Sequence, residues 1–398
     1  MHILIIHQAF AAMDEAGGTR HFEMARYLVQ KGHQVTVIAS PVSYLTGTSS
    51  HKKQEVIDGV TILRVYTYNA LHKSFVHRVI AFFTFMFSSF AAGVRVPRVD
   101  VVWGTSPPIF QGFSAWALAR LKRARFLFEV RDLWPDFAIA VGVLKNPILI
   151  RMSFWLERFL YRHADQMMVN SPGYLEHVKS RGARSVVLIP NGADPAMFRP
   201  SDTGSAFREK YSLEDHFVVL YAGAHGISND LNTVLDCAQI LSFEPLIRFV
   251  LLGDGKEKAN LQKRARDLDL ENVLFLPSLP KNEMADALAA AQACIAILKP
   301  IDQYKKTYPN KVFDYMAAGR PIVLAIDGVI REVVEKADCG VFPRPGDARE
   351  MASSIIFLAI DPSHAADLGM HGRRFLEENF SRDRMAEELN RLLQGMLR

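Results

Sequence analysis

Three glycine clusters stand where the phosphates of a nucleotide can be held. Gly17-Gly18-Thr19 follows the first apolar run and opens the first helical stretch. Glycine has no Cβ, so backbone N–H groups there can approach a pyrophosphate, and the positive end of the helix dipole favours the anion. Gly223-Ala224-His225-Gly226 and Gly253-Asp254-Gly255 follow later apolar runs in the same way. Any one of these is also what an ordinary turn looks like. Together, in two halves of the chain, they suggest one elongated phosphate-bearing ligand. No GxGxxG stands at Gly17, which disfavours a nicotinamide cofactor. Arg131-Asp132 ends the run Phe126–Val130. Arg131 can neutralise phosphate or a developing oxyanion and the Asp132 carboxylate can accept from a hydroxyl, with Glu129 a weaker candidate and a structural ion pair the plain alternative. Asp314, near a helix start, suits a diol because a carboxylate accepts two hydrogen bonds, each worth about 1.5–3 kcal/mol net.

Apolar runs and helix-like stretches alternate along the chain, the pattern of parallel sheets covered on both faces. Runs at His2–His7, Gln34–Ala39, Val99–Trp103, Phe126–Val130, Gln166–Asn170 and Ser185–Pro190 predict strands of a first domain, residues 1–190. Asn191–Gly204, rich in Pro, Gly and Asp, predicts a linker. The rhythm restarts at Phe217–Gly223 and continues through Phe249–Gly253, Val273–Leu276, Ala293–Leu298, Pro321–Ala325 and Gly340–Phe342, a second domain over 205–380. Residues 381–398 predict a closing helix that can pack back on the first domain. The fold class is α/β: two doubly wound, Rossmann-like domains facing each other across a cleft, with ligands beyond the carboxyl ends of the strands.

The 398 residues, 49% apolar and 22% charged, exclude a disordered chain, a collagen and a coiled coil. Three cysteines without a CxxC pair exclude a disulfide framework or a cysteine zinc site and fit a reducing compartment. The opening MHILIIHQAF lacks the charged region and cleavage site of a signal peptide, so a cytoplasmic location is expected. Residues 1–200 carry 23 Lys and Arg against 13 Asp and Glu; residues 201–398 carry 24 against 29. A basic first half suggests a polyanion partner, nucleic acid or anionic lipid. With no recognition-helix motif beside the charge, nucleic acid is disfavoured. Val79–Val94 holds five phenylalanines and no charge. At roughly 24 Å it falls short of a bilayer's ~30 Å hydrocarbon core. It reads either as a buried core helix or as one lying in a membrane surface, with Phe82, Phe83, Met86 and Phe90 toward lipid and Lys73, Arg78, Arg95 and Arg98 as basic flanks. Residues 73–98 are thus the expected contact with an anionic membrane.

The segment Pro309–Pro321 (PNKVFDYMAAGRP) resembles the signature of glycosyltransferase family 4, retaining enzymes of the GT-B fold. LLGDGKEKANLQ, VLFLPSLP and CGVFPRPGD are similar to that family's C-terminal domain in order and spacing, and Asn191–Asp194 followed by Phe198 to its linker. GGTR, KGHQVTVI and EVRDLWPD resemble a branch that builds bacterial surface polysaccharides such as O-antigen and capsule. The resemblance implies a nucleotide-sugar donor held mainly by the second domain and an acceptor entering from the first. Asp314 matches the second acid of the family's E-x7-E motif, which usually binds the donor ribose. The first acid's position is Lys306, and the usual basic pair near the first loop of the C-terminal domain is missing at Ala224 and Asp230. Charge for the diphosphate then comes from elsewhere: Lys311 first, Lys306 and His225 next, with Asn310 as a further donor contact. Arg131-Asp132 occupies the place of a His-Asp pair in many relatives.

The resulting expectation is a retaining hexosyl- or N-acetylhexosaminyltransferase. It moves sugar from a UDP-sugar, with GDP the competitor, to a lipid-linked or polysaccharide acceptor at the cytoplasmic membrane face. Arg131, Asp132, Lys311 and Asp314 carry the chemistry, and Gly17, Gly18, Thr19, Gly223, His225, Gly253, Asp254, Gly255, Asn310 and Lys306 hold the donor. No cofactor is expected. With no His or Cys cluster at ligand spacing, neither is a metal, because fixed cations and helix N-termini can stabilise the leaving diphosphate. A nucleotide-sugar epimerase of the same fold and a non-catalytic nucleotide-sugar binding protein are the alternatives.

Overall fold

The structure, a computed structural model, describes residues 1–43, 46–70 and 75–398. The chain divides into two units: Met1–Ala12, Gly17–Pro190 and Asp383–Arg398 form one, Met13–Ala16 and Asn191–Arg382 the other.

In the first unit, strands β1 (His2–Ile6), β2 (Gln34–Ala39), β3 (Gln54–Ile57), β4 (Val60–Arg64), β5 (Val101–Ser106), β6 (Arg125–Val130), β7 (Gln166–Val169) and β8 (Val186–Leu188) make one sheet. Their order is β3-β4-β2-β1-β5-β6-β7-β8. Every pairing is parallel except β3 with β4. That edge hairpin departs from the expected all-parallel sheet. Its signal is Asp58-Gly59, a two-residue turn with both φ angles positive (50° and 79°), the backbone that matches the twist of a tight hairpin. All five residues of β1 are buried, as a strand covered on both faces requires.

Helices α1 (Arg20–Gln30), α2 (Phe75–Arg95), α3 (Phe110–Lys122), α4 (Asp136–Ala140), α5 (Pro147–His163) and α6 (Leu175–Ser180) cover this sheet. The crossovers β4 to β5, β5 to β6 and β6 to β7 step in one direction along the sheet. Right-handed connections therefore put α2, α3 and α5 side by side on one face and α1 on the other.

Helix α2 has 21 residues, about 31 Å, and extends beyond the uncharged run at both ends. Val76–Arg95 is long and apolar enough to cross a membrane by length and composition, yet only 22% of it is buried. One edge, Ala81, Phe85, Ser89 and Gly93, is buried, and a Cβ at Gly93 would lie 2.4 Å from Leu118 of α3. Thr84 and Ser88 bond the backbone at Tyr68 and Tyr66. The exposed edge is itself apolar: Val76, Ile80, Phe83, Phe87 and Val94. Of the four side chains expected toward lipid only Phe83 is exposed; Phe82, Met86 and Phe90 are half-buried. A helix wedged against α3 has two apolar edges, and spacing alone does not say which one the protein covers. Lys73 and the side chain of Phe75 lie outside the described residues.

The second unit contains α7 (Ser205–Lys210), α8 (Leu231–Ile240), α9 (Lys258–Asp267), α10 (Met284–Ala289), α11 (Asn310–Ala317), α12 (Val329–Lys336), α13 (Ala348–Ile360) and α14 (Pro362–Asn379). Its strands are β9 (Phe217–Ala222), β10 (Ile247–Leu252), β11 (Val273–Leu276), β12 (Ala293–Ile297), β13 (Ile322–Ala325) and β14 (Gly340–Val341). They form a parallel sheet in the order β11-β10-β9-β12-β13-β14. Helix α11 buries Val312, Phe313, Tyr315 and Met316 in the core, which leaves Asn310, Lys311 and Asp314 on its other side. A final helix, α15 (Arg382–Leu397), joins the first unit, where Glu387 accepts from Tyr27 at 2.9 Å and Asn390 pairs with His33 at 2.9 Å.

Candidate active site

At the carboxyl end of β9 the two glycine loops of the second unit interlock. The His225 N–H donates to the Asp254 carbonyl at 2.8 Å and the Glu257 N–H to the His225 carbonyl at 3.0 Å. A Cβ at Gly253 would fall 1.8 Å from the Gly223 carbonyl oxygen, and one at Gly255 2.5 Å from that of His225. These glycines are therefore required by each other's loop, whatever they bind. The Asp254 carboxylate accepts from the Gly255 N–H at 2.7 Å, and the Tyr221 hydroxyl pins the loop through the Ala224 carbonyl at 2.7 Å.

Lys311 reaches this loop from α11. Its Nζ lies 3.6 Å from the centre of the Tyr221 ring and fills the space a Cβ would take at Gly223. That Nζ is buried with no hydrogen-bond partner among the described residues. Burial pushes the ammonium down to about 7. His225 is fully buried, and both its ring nitrogens also lack partners. Burial, then the charges of Lys258 and Lys311, hold its pKa at about 4, so it is neutral at pH 7. A buried cation and a buried imidazole without partners cost stability unless something else completes them.

One turn along α11, the Asp314 Oδ1 pairs with Lys281 Nζ at 2.6 Å, and Asn310 Nδ2 lies 3.4 Å from Oδ2. The Asn310 Oδ1 is buried without a partner. Lys281, buried over the Phe198 ring, was not singled out from sequence; a lone lysine in KNE carries no pattern. Lys306 is exposed at the end of the turn Asp302–Lys306. The structure thus brings Gly223, His225, Gly253, Asp254, Gly255 and Lys311 together, with Asn310 and Asp314 on the same helix as Lys311.

The first unit gathers a different set at the ends of β1 and β6. Glu129 is fully buried and accepts from Arg20 Nε at 3.2 Å and His21 Nε2 at 2.6 Å. Burial alone would raise its carboxyl, but His21 and Arg20 outweigh that and hold it at about 2. Arg20 also donates to the Pro190 and Ile189 carbonyls at 2.6 and 2.8 Å. His21 stacks on His7 at 4.0 Å. Arg131 faces His7 Nε2 at 3.3 Å, and His7 Nδ1 meets the Thr105 hydroxyl at 2.7 Å. Since Arg131 can only donate, His7 carries its proton on Nδ1 and is neutral, in keeping with a pKa driven well below normal by burial. Asp132 beside it is pushed up to about 7 by burial, and its Oδ1 has no partner. Glu129, expected as the weaker candidate, is the anchor of the cluster; His7 and His21 were missed because isolated histidines at a strand end and a helix start carry no spacing signal. Gly17 (φ 151°) and Gly18 open α1, and Thr19 gives its hydroxyl to Glu23 at 2.5 Å. Nothing lies within 4 Å of a Cβ placed at Gly18, so this loop has room for an anion.

One group of possible metal ligands stands out among the described residues, Asp136, Glu157 and His177 of the first unit. His177 lies 2.7 Å from Glu157 and 3.7 Å from Asp136, while Arg181 is 3.7 and 4.0 Å from the same acids. The arginine already supplies the positive charge, so this is an ion-pair network. The sequence also holds an Asp-x-Asp, Asp267-Leu268-Asp269, which falls at the end of α9 away from the glycine loops, with Asp267 on Lys263 at 3.0 Å.

With this geometry in hand, comparison with known proteins is direct. Residues 16–192 match the family described as glycosyl transferase 4-like domain, and residues 216–361 that described as glycosyl transferases group 1. WcaI of Escherichia coli K12, named for a glycosyl transferase of colanic acid biosynthesis, is 26% identical over 322 residues, 77% of this chain and 78% of its own. A protein of Mycobacterium tuberculosis named GDP-mannose-dependent alpha-mannosyltransferase is 21% identical, over 87% of this chain and 85% of its own. Among solved structures, Anabaena HepE in complex with UDP-glucose superposes with a TM-score of 0.74 at 15% identity, over 99% of this chain and 100% of that one. Family matches spanning both units, on two doubly wound sheets, make this chain a member of the family 4 glycosyltransferases, with the GT-B fold.

Proposed function

We propose that the protein transfers a sugar, with retention, from a UDP-sugar to a lipid-linked polysaccharide precursor at the cytoplasmic face of a membrane. The observation that carries this reading is the Lys311 ammonium, buried over the Tyr221 ring with no hydrogen-bond partner among the described residues, beside a His225 whose ring nitrogens also lack one, at a strand's carboxyl end. A diphosphate seated there supplies the missing anion. As the glycosidic bond breaks, charge grows on that diphosphate and Lys311 interacts with it more strongly, which is the condition for lowering the barrier. The Asp314 carboxylate, held by Lys281 through one oxygen, offers the other to the ribose hydroxyls. No metal is needed for this charge balance, and without a protein nucleophile in the scheme the acceptor attacks from the face the leaving group vacates. In the first unit Arg131 and Asp132 take the acceptor side, and the Gly17–Thr19 loop, with room for an anion, stays the donor-phosphate contact expected from sequence.

UDP is preferred to GDP on the ligand of HepE, against the GDP-mannose of the mycobacterial relative's name. The colanic acid of WcaI's name and the exposed apolar edge of α2 support a polysaccharide precursor on lipid. The test is to supply labelled UDP-sugars and GDP-mannose with a bacterial membrane extract. Label from one donor should enter the organic-extractable fraction with the donor's anomeric configuration. Conversion or hydrolysis of the donor alone, with no labelled lipid from any of them, contradicts the proposal.

A further inference from the structure

On the same face of the first sheet as α2, and separated from it by α3, α5 presents a second exposed apolar row. Ile148, Met152 and Trp155 are 69%, 61% and 62% exposed. Leaving them in water is unfavourable, and the protein covers none of the three. The helix is firmly built: Asn146 Oδ1 accepts from the Ile148 and Leu149 N–H groups at 2.9 and 3.2 Å, and Pro147 opens it. Ser153, Leu156 and Leu160 fix its inner side. Rings of α3 touch both exposed rows. Phe83 meets Phe110 at 5.0 Å; on the far side of α3, Trp116 meets Phe159 at 4.8 Å and Phe159 meets Trp155 at 5.4 Å.

The charge on this face is one-sided. Helices α2, α3 and α5 together carry seven Lys and Arg and a single acid, Glu157, which is fully buried and paired with His177. Arg151, Arg158 and Arg162 are exposed along α5 and border a groove of about 740 Å³ floored by Phe154 and Phe159. A row of Trp, Met and Ile between arginines, with no exposed acid, is complementary to an anionic bilayer surface, where the tryptophan sits at headgroup level and the guanidinium groups meet lipid phosphates.

We propose that α5 is a second membrane-docking element, so that the first unit rests on anionic lipid through α2 and α5 together. This rests on the reading above in which α2 meets a membrane. Two rows on separate helices define a plane, which fixes the unit's orientation on the bilayer; one helix alone leaves it free to roll.

Trp155 is the one exposed residue among the four tryptophans, which makes it a reporter. The experiment uses mixed phosphatidylcholine and phosphatidylglycerol vesicles, with brominated phosphatidylcholine as the quencher. Wild type should sediment with these vesicles, far less with pure phosphatidylcholine, and lose tryptophan emission to the brominated lipid; Trp155→Phe should abolish most of that loss. Each basic side chain near an anionic surface contributes about a fivefold factor. The exposed triple change Arg151→Gln, Arg158→Gln and Arg162→Gln should therefore lower partitioning about a hundredfold with the melting temperature unchanged. If that triple variant and Trp155→Phe behave as wild type while Phe83→Ser with Phe87→Ser releases the protein, the α5 proposal fails and the α2 reading stands. If wild type ignores the vesicles, both fail. If Trp155 is shielded from iodide without lipid and the chain sediments as a dimer, the face is a contact between copies and the proposal is overturned.

Discussion

The carboxyl edges of the two sheets hold opposite kinds of polar cluster. In the first unit Glu129, Arg20 and His21 answer each other's charge and hydrogen bonds, and His7 links Arg131 to Thr105. In the second, Lys311 Nζ and both His225 ring nitrogens are buried with no hydrogen-bond partner among the described residues. In the first cluster the Glu129 carboxylate is answered by Arg20 and His21, with His21 Nδ1 and the neighbouring Asp132 Oδ1 left without partners among the described residues, and the paired charges serve to hold a shape. The second is incomplete, and an anion is what completes it. Paired charges thus mark a positioning element, while a buried cation without an anion marks where a ligand supplies the missing half.

The comparison breaks most visibly through stability. Glu129→Gln leaves Arg20 buried without its anion and should cost about 3–5 kcal/mol, read from denaturant unfolding. Lys311→Met removes a buried cation that has no partner, so the same assay should show no loss or a gain. Turnover should respond in the reverse sense for that residue: Lys311→Met should lower kcat by about a hundredfold to a thousandfold, the scale of removing one group that stabilises developing charge. Equal destabilisation by both substitutions would erase the distinction.

A smaller effect sharpens the account through pH. The Lys311 pKa is depressed to about 7, so the free protein loses that proton as pH rises through 7. A bound diphosphate favours the charged form, hence nucleotide affinity should fall up to about tenfold per pH unit above 7 and level off below it. Lys311→Met should flatten the profile between pH 7 and 9. Asp132 gives a second pH effect, read in stability. Its folded pKa, raised to about 7, lies above the unfolded value, so the folded protein loses stability as pH rises through the carboxylate range toward 7. Asp132→Asn should remove that slope, seen as a higher melting temperature at pH 8 and little change at pH 4.

Much of the frame is legible in the sequence because buried parallel strands are continuous apolar runs: Gln34–Ala39 and Val273–Leu276 are strands from end to end as read. The β3–β4 hairpin was not read: its short, half-exposed strands carry little apolar signal beyond the Asp58-Gly59 turn. The site is legible only where it lies in a local pattern. PNKVFD places Lys311 and Asp314 one turn apart on a helix, and the fold delivers both. Lys281, His7 and His21 reach their partners across 33, 98 and 108 positions, and no local spacing encodes such a pairing. The glycines at 253 and 255 were found for one reason and needed for another, since the opposing loop already occupies their Cβ positions.

The central claim, that Lys311 supplies the positive charge for the donor's diphosphate, is tested most directly by calorimetry of UDP and GDP binding at pH 8 in two buffers of different ionisation enthalpy. At that pH a lysine with a pKa of about 7 is mostly neutral in the free protein. Whichever nucleotide binds should therefore carry in about one proton per site in wild type and none in Lys311→Met. The same proton uptake in the variant, or none in wild type, would contradict the account.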